Sequence, residues 1–368
     1  MRCNIKSFGL WILYIFLTSL SSWAQEPTKA LIYGPEWTFT SPEIVKGATF
    51  ETYDTIKQKF RKSVEAYCRA SGKCHADNLS QGIRKIQFEN QVTVFISRDE
   101  GVFEVQATPL TLEKWQEQEK IFQLAIFNSM KSAGQIPHER IGGGHLNIGL
   151  AFFLDKPLLL RNFIVDFYNH PGLGVVLNSL SENAAYSAYL DQASKLQKDH
   201  FIKQLALLDQ IKNPDFFDVV YHLGQALQNQ MLALTIKNFD DNSDIVPEKM
   251  SRASFKKQFK ISPTLRMEIR ALRPQANMSS FVQVMQIFDS KIETLASIKK
   301  PIALQKPKPI IDGWKALGQF ADYLESSGLD WKNYRNLMPK LWQNLPEENF
   351  IRGQVKIPQK KICRRLFF

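Results

Sequence analysis

The chain has 368 residues, 44% hydrophobic and 23% charged, with a formal charge of +11 at pH 7. That balance excludes an intrinsically disordered chain and leaves room for one large domain plus an appendage. The charge is uneven: Lys299 to Phe368 hold 14 basic residues against 6 acidic ones and the body before them is nearly neutral, so any attraction to an anionic polymer or a membrane surface belongs to the tail. Keeping the protein soluble is the competing role for such a tail, and no specific nucleic-acid recognition is expected.

Met1 to Ala24 reads as a cleavable export signal. Arg2 and Lys6 precede an apolar core from Phe8 to Leu20, and Ser22-Trp23-Ala24 supplies small residues at a cleavage site. The apolar run is short for a membrane span. The protein is therefore expected to act outside the cytoplasm, periplasmic or secreted. Of the four cysteines, Cys3 leaves with the signal; Cys68 and Cys74 are close enough to close a small loop, a candidate disulfide in an exported protein. His75 beside Cys74 adds only a weak zinc signal, and Cys363 is left over.

The body opens with Lys29 to Phe39, a strand pattern that puts Glu36 and Thr38 on one face. A carboxylate on an inner strand face is costly unless it is paired or bound to a cation. Tyr53 to Ala70 has helical spacing at Ile56, Phe60, Val64 and Tyr67. Lys85 to Ser97 and Val102 to Thr108 read as two strands joined by the turn Arg98-Asp99-Glu100-Gly101, with Glu104 and Gln106 on the polar side of the second. Thr111 to Ala133 reads as an amphipathic helix capped by Thr111, with Trp115, Ile121, Phe122, Ala125, Ile126 and Met130 as buried candidates.

Then comes Gly142-Gly143-Gly144-His145-Leu146-Asn147-Ile148-Gly149. Three glycines admit unusual φ values and close approach of another chain. Alternation sends Leu146 and Ile148 to one face and His145, Asn147 and Gly149 to the other. Beyond it lie the apolar segment Leu150 to Leu154, a helix from Pro157 to Tyr168, and helices over much of Ser181 to Asn238. Thr264 to Pro274 is a strand with Arg266, Glu268 and Arg270 in a row on one face. Met278 to Ile298 is an amphipathic helix, Lys299 to Pro309 a lysine- and proline-rich linker, and Ile311 to Leu345 a pair of helices with a basic end.

Gly34-Pro35-Glu36-x-x-Phe39, Gly101-x-x-Glu104, the glycine segment ending in His145, and Arg266-x-Glu268-x-Arg270 occur in the order seen in the carboxylate-amine ligase superfamily. That superfamily includes glutamine synthetases, glutamate-cysteine ligases and bacterial amidoligases. The run Glu104 to Leu110 followed by a long helix most resembles the amidoligases, and the likeness covers Ala30 to Ile298. It implies an α+β fold: a curved antiparallel sheet with helices on its outer face, as in a glutamine synthetase-like catalytic domain, plus a small helical C-terminal extension.

The resemblance also implies chemistry. ATP would activate a substrate carboxylate, and an amine donor would then form the amide. Glu36, His145 and Glu268 match the ligands of a Mg²⁺ or Mn²⁺ ion on the ATP phosphates, Arg270 matches a phosphate-contacting arginine, and Glu104 matches a ligand of a second metal near the substrates. Arg266 and Asn147 fall among the expected nucleotide-side residues. Two positions depart from the family: Thr38 stands where a second glutamate is usual, and Asn147 where amidoligases often have histidine. Glu89, Asp99 and Glu100 are poorly spaced as a third carboxylate for the second metal.

The expected organisation is a signal at 1–24, a ligase-like domain at 25–298, a linker at 299–310 and a basic helical extension at 311–368. The expected function is an ATP- and metal-dependent ligase acting on an amino-acid or peptide carboxylate. The alternative is an exported, non-catalytic ligase-like protein that binds an acidic ligand or polymer. A metal-dependent hydrolase is disfavoured because no general base stands out, and the chain has no nucleophile elbow, P-loop or dinucleotide fingerprint.

Overall fold

Eight strands form one open sheet in a computed structural model that describes residues 30–47, 49–77, 84–89, 92–99, 101–138, 141–178, 193–227, 233–237, 250–259, 261, 265–306 and 313–343. The Met1 to Ala24 signal and the basic end after Gln343 lie outside the described residues. In chain order the strands are β1 (Tyr33–Phe39), β2 (Cys74–Asp77), β3 (Arg84–Phe88), β4 (Thr93–Asp99), β5 (Val102–Ala107), β6 (Gly144–Gly149), β7 (Leu234–Lys237) and β8 (Arg266–Leu272). Their spatial order is β2-β3-β4-β5-β1-β6-β8-β7, and every neighbouring pair is antiparallel.

One face of this sheet is apolar and carries the main helices. Helix α1 (Phe50–Ser71) starts at Thr49, whose hydroxyl accepts the Thr52 amide, and stops at Gly72, where φ is 67°. It buries Ile56, Phe60 and Val64 of the stripe that its period predicts, with Tyr53 before them and Cys68 after, while Tyr67 is half-buried. Helix α2 (Leu112–Phe122) is capped by Thr111 and runs on through a π-helical turn, Gln123–Phe127, into Asn128–Ser132. Trp37 of β1 is the hub: Trp115, Phe122 and Phe127 from this helix and Phe281 from α8 (Met278–Ala296, numbered after the helices that follow) surround it with ring centroids 5.7 to 6.3 Å away.

The intervening helices are α3 (Pro157–Asn169), α4 (Pro171–Asn178), α5 (Lys195–Asp209), α6 (Phe216–Leu227) and α7 (Arg252–Gln258); α9 (Gly313–Glu325) follows α8. The lysine- and proline-rich stretch after α8 is pinned to α3. Asn162 brackets Lys300 and Ile302, and Asn169 brackets Ala303 and Gln305, through side-chain amide bonds of 2.8 to 3.0 Å. The α+β class with an antiparallel sheet and helices on it is thus the observed architecture. Among the described residues no helix is long and apolar enough to cross a membrane.

Three local readings differ from the structure. Lys85 to Ser97 is two strands, turned where the Phe88 amide donates to the Val92 carbonyl. Ile86, Phe88, Val92, Val94 and Ile96 keep one parity through that turn, so alternation shows no break. Leu234–Lys237 is strand β7, within a region read as helical; Leu-Thr-Ile-Lys alternates but is only four residues long. The second C-terminal helix is a 3₁₀ turn, Trp331–Leu337, followed by the short Lys340–Gln343.

Candidate metal centre

Strand β1 runs through the middle of the sheet, and all seven of its residues are buried. Its apolar side meets the helices, while its other side sends Glu36 and Thr38 into a covered polar layer. Register builds that layer: Glu36 lies opposite His145 on β6 and opposite Gln106 on β5, Asn147 lies opposite Glu268 on β8, and Glu268 lies opposite Thr235 on β7. Directly opposed residues of an antiparallel pair share a face. A bulge in β8 leaves Arg270 and Ala271 both opposite His145, because Leu146 pairs with Ile269 but Gly144 pairs with Leu272.

The glycine run lets β6 fit between its neighbours. Gly142 has φ of 73°, and a Cβ there would stand 2.6 Å from Thr38 Oγ1; one on Gly144 would stand 2.8 Å from the Arg273 carbonyl oxygen. Thr38 donates its hydroxyl to the Gly143 carbonyl at 2.8 Å. Thr38 therefore ties down the loop that delivers His145.

Glu36, His145 and Glu268 converge. His145 Nδ1 is 3.0 Å from Glu36 Oε2 and 3.2 Å from Glu268 Oε1. Asn147 Nδ2 donates to Glu36 Oε1 at 2.7 Å and to the Gly34 carbonyl at 3.1 Å, while Asn147 Oδ1 accepts Arg266 Nε at 2.7 Å. Glu268 Oε2 accepts Lys237 Nζ at 2.5 Å, Thr235 Oγ1 at 3.1 Å and Arg270 Nη1 at 3.1 Å. Both carboxylates are almost wholly buried, with 5% and 2% exposure.

Charge coupling is correspondingly strong. Burial pushes the Glu36 carboxyl up, but the hydrogen bond and charge of His145 outweigh it and the group ends below the usual range. For Glu268, burial is likewise overcome by His145, Arg270 and Lys237, which hold it well below that range. Burial alone would lower His145; Glu268 and Glu36 instead raise it to about 9. At neutral pH the imidazole is thus a cation whose Nδ1 proton lies between two carboxylate oxygens.

A divalent cation fits this position. Each of the three residues offers one ligand atom, and these atoms lie within 4.8 Å of one another. Two carboxylate oxygens and one imidazole nitrogen suit Mg²⁺ or Mn²⁺, and such an ion would replace the imidazolium proton as the charge between the two acids.

The sequence-derived residues divide clearly. Glu36, His145, Glu268, Asn147, Arg266 and Arg270 come together. Glu104 faces the same side one strand beyond Glu36, opposite Thr38, and accepts a hydrogen bond from Gln106; it is not in the three-ligand group. Glu89 is at the β3–β4 turn, paired with Lys73 at 3.1 Å, and the Asp99 and Glu100 side chains lie outside the described residues. Lys237 and Thr235 were missed because β7 was missed; the Thr-x-Lys alternation was their signal.

Fold and site together define an α+β protein with an open antiparallel sheet that carries a buried carboxylate–imidazole centre. No family model and no curated protein matches the chain. Among solved structures it is similar to the crystal structure of a novel glutamine synthase homolog, at 11% identity and a TM-score of 0.44, over 91% of this chain and 69% of that one.

Proposed function

We propose that the protein is a divalent-metal- and ATP-dependent carboxylate-amine ligase, acting after export on an amino-acid or peptide carboxylate. The observation that carries this reading is the convergence of Glu36, His145 and Glu268 beside Arg266 and Arg270 on one sheet face. The sequence likeness to the ligase superfamily supplies the reaction class. Glu36, His145 and Glu268 would hold Mg²⁺ or Mn²⁺, which supplies charge neutralisation for nucleotide phosphates. Arg270 and Arg266 would stabilise negative charge on the transferring group from the β8 side. Glu104, across β1 from them, would serve a second metal near the substrates, the role that the sequence likeness implies. In the bond changes, a substrate carboxylate oxygen takes the terminal phosphoryl group with release of ADP. The amine nitrogen then bonds to the acyl carbon, phosphate leaves, and the amine gives up a proton.

Two features favour a second reading, a metal- and anion-binding protein that makes no amide: Thr38 is committed to the Gly143 carbonyl, and Glu104 stands outside the ligand group. Purified full-length chain, incubated with ATP, Mg²⁺ and mixed amino acids, separates the two. The ligase releases phosphate and a new amide, and loses both in Glu36→Gln and Glu268→Gln. Metal binding without turnover for any amine donor would leave the second reading standing.

A further inference from the structure

Glu268 divides its carboxylate between two environments. Oε1 faces His145 Nδ1, whereas Oε2 takes Lys237, Thr235 and Arg270. A carboxylate oxygen has two lone pairs, so three donors, two of them cationic, saturate Oε2. Only Oε1 is left to bind a metal. Lys237 also stands directly opposite Arg266 across the β7–β8 pair. Like charges in that position repel, and the 2.5 Å contact with Glu268 offsets the repulsion.

Resting on the metal-centre reading, we propose that Lys237 is a built-in counter-cation of Glu268: it orients the carboxylate so that Oε1 alone meets the metal, and it holds the affinity of the centre for divalent cations down. Lys237 touches the ligand and not the reacting atoms, so it is a positioning residue. It comes from the edge strand of the sheet and its side chain is 18% exposed. An anionic co-ligand could therefore draw the ammonium off Glu268 and tighten metal binding as it arrives, and by linkage the metal would tighten that anion equally.

The test is Mn²⁺ binding to the full chain, followed by the loss of the free-ion paramagnetic resonance signal. Removing one positive charge beside a dication should tighten Mn²⁺ binding about tenfold or more in Lys237→Met, even with an effective dielectric near that of a protein surface. Lys237→Arg, which keeps the charge, should stay within a few-fold of the parent. Without metal, Lys237→Met should melt at a lower temperature than the parent, and saturating Mn²⁺ should raise its melting temperature by more. A purely structural lysine would give weaker binding when removed, so equal or weaker affinity in Lys237→Met overturns the proposal. If neither protein binds Mn²⁺, or if binding survives Glu268→Gln, the metal-centre reading falls, and the role of Lys237 with it.

Discussion

Asn147 Nδ2 stands 2.7 Å from Glu36 Oε1, and Asn147 Oδ1 stands 2.7 Å from Arg266 Nε. One amide thus passes the charge of an arginine on β8 to a carboxylate on β1 and fixes which oxygen of Glu36 faces His145. A histidine here could serve as a ligand; the asparagine serves as an orienting strut. Asn147→Leu keeps the branching of the side chain but removes these two bonds together with the one to the Gly34 carbonyl. Partners of this kind behind a metal ligand are worth about 10- to 100-fold in metal affinity, and a buried carboxylate stripped of one donor costs about 1–3 kcal/mol. Calorimetric Mn²⁺ titration and urea denaturation should show both losses. An unchanged affinity would remove Asn147 from the centre.

The proton on His145 and the metal compete for one place. With its pKa raised to about 9, the imidazole must lose a proton before it can bind an ion. Below pH 9, Mn²⁺ affinity should rise about tenfold per pH unit, with about one proton released per ion. Titrations in buffers of different ionisation enthalpy measure that release. Metal-free stability should move the other way. A raised folded pKa gives stability that is fully present below the ordinary histidine value of about 6.5 and is lost as pH rises through about 9. Glu36 and Glu268, held below their ordinary values, give stability present above the usual carboxylate range and lost as pH falls through their depressed values. The melting temperature of the parent relative to His145→Gln should therefore decline from pH 6.5 to 9 without metal. With saturating Mn²⁺ that decline should vanish.

The sheet face could be read in the sequence because its signal is local. Period-two alternation assigned Glu36, Glu104, His145, Asn147, Glu268 and the two arginines to one side before any pairing was known, and the pairing only had to bring those sides together. Two things were not local. The β3–β4 turn preserves parity, so alternation ran through it. Strand β7 is four residues long, below the length at which alternation can be told from one helical turn, and Lys237 and Thr235 vanished with it. Nor could composition tell that Thr38 would use its hydroxyl on the Gly143 carbonyl.

Cys68, in the last turn of α1, is bonded to Cys74, which opens β2 at the outer edge of the sheet. The bridge spans six residues, and closing so small a loop restricts the unfolded chain by about 2 kcal/mol in the chain-entropy account. Three strands separate β2 from β1. Cys68→Ser with Cys74→Ser should lower the urea midpoint by that amount and leave Mn²⁺ affinity within about twofold, since distant sites act independently. A large loss of metal binding would mean that order at this edge reaches the centre.

Gly142 joins backbone conformation to the chemistry of the site. Its φ of 73° is open to glycine at little cost, and a Cβ there would press on Thr38 Oγ1 at 2.6 Å and Val102 Cγ1 at 2.9 Å. Gly142→Ala therefore carries about 1–2 kcal/mol of left-handed strain and pushes Thr38 off the Gly143 carbonyl, at about 1 kcal/mol more for the hydrogen bond. Thr38→Val loses the bond alone. The two variants should rank accordingly in urea denaturation, with Gly142→Ala the less stable. Because the loop they loosen leads straight into His145, both should also weaken Mn²⁺ binding in that order. A Gly142→Ala protein that is destabilised but binds Mn²⁺ as tightly as the parent would show that β6 pairing, and not the glycine loop, sets the position of the imidazole.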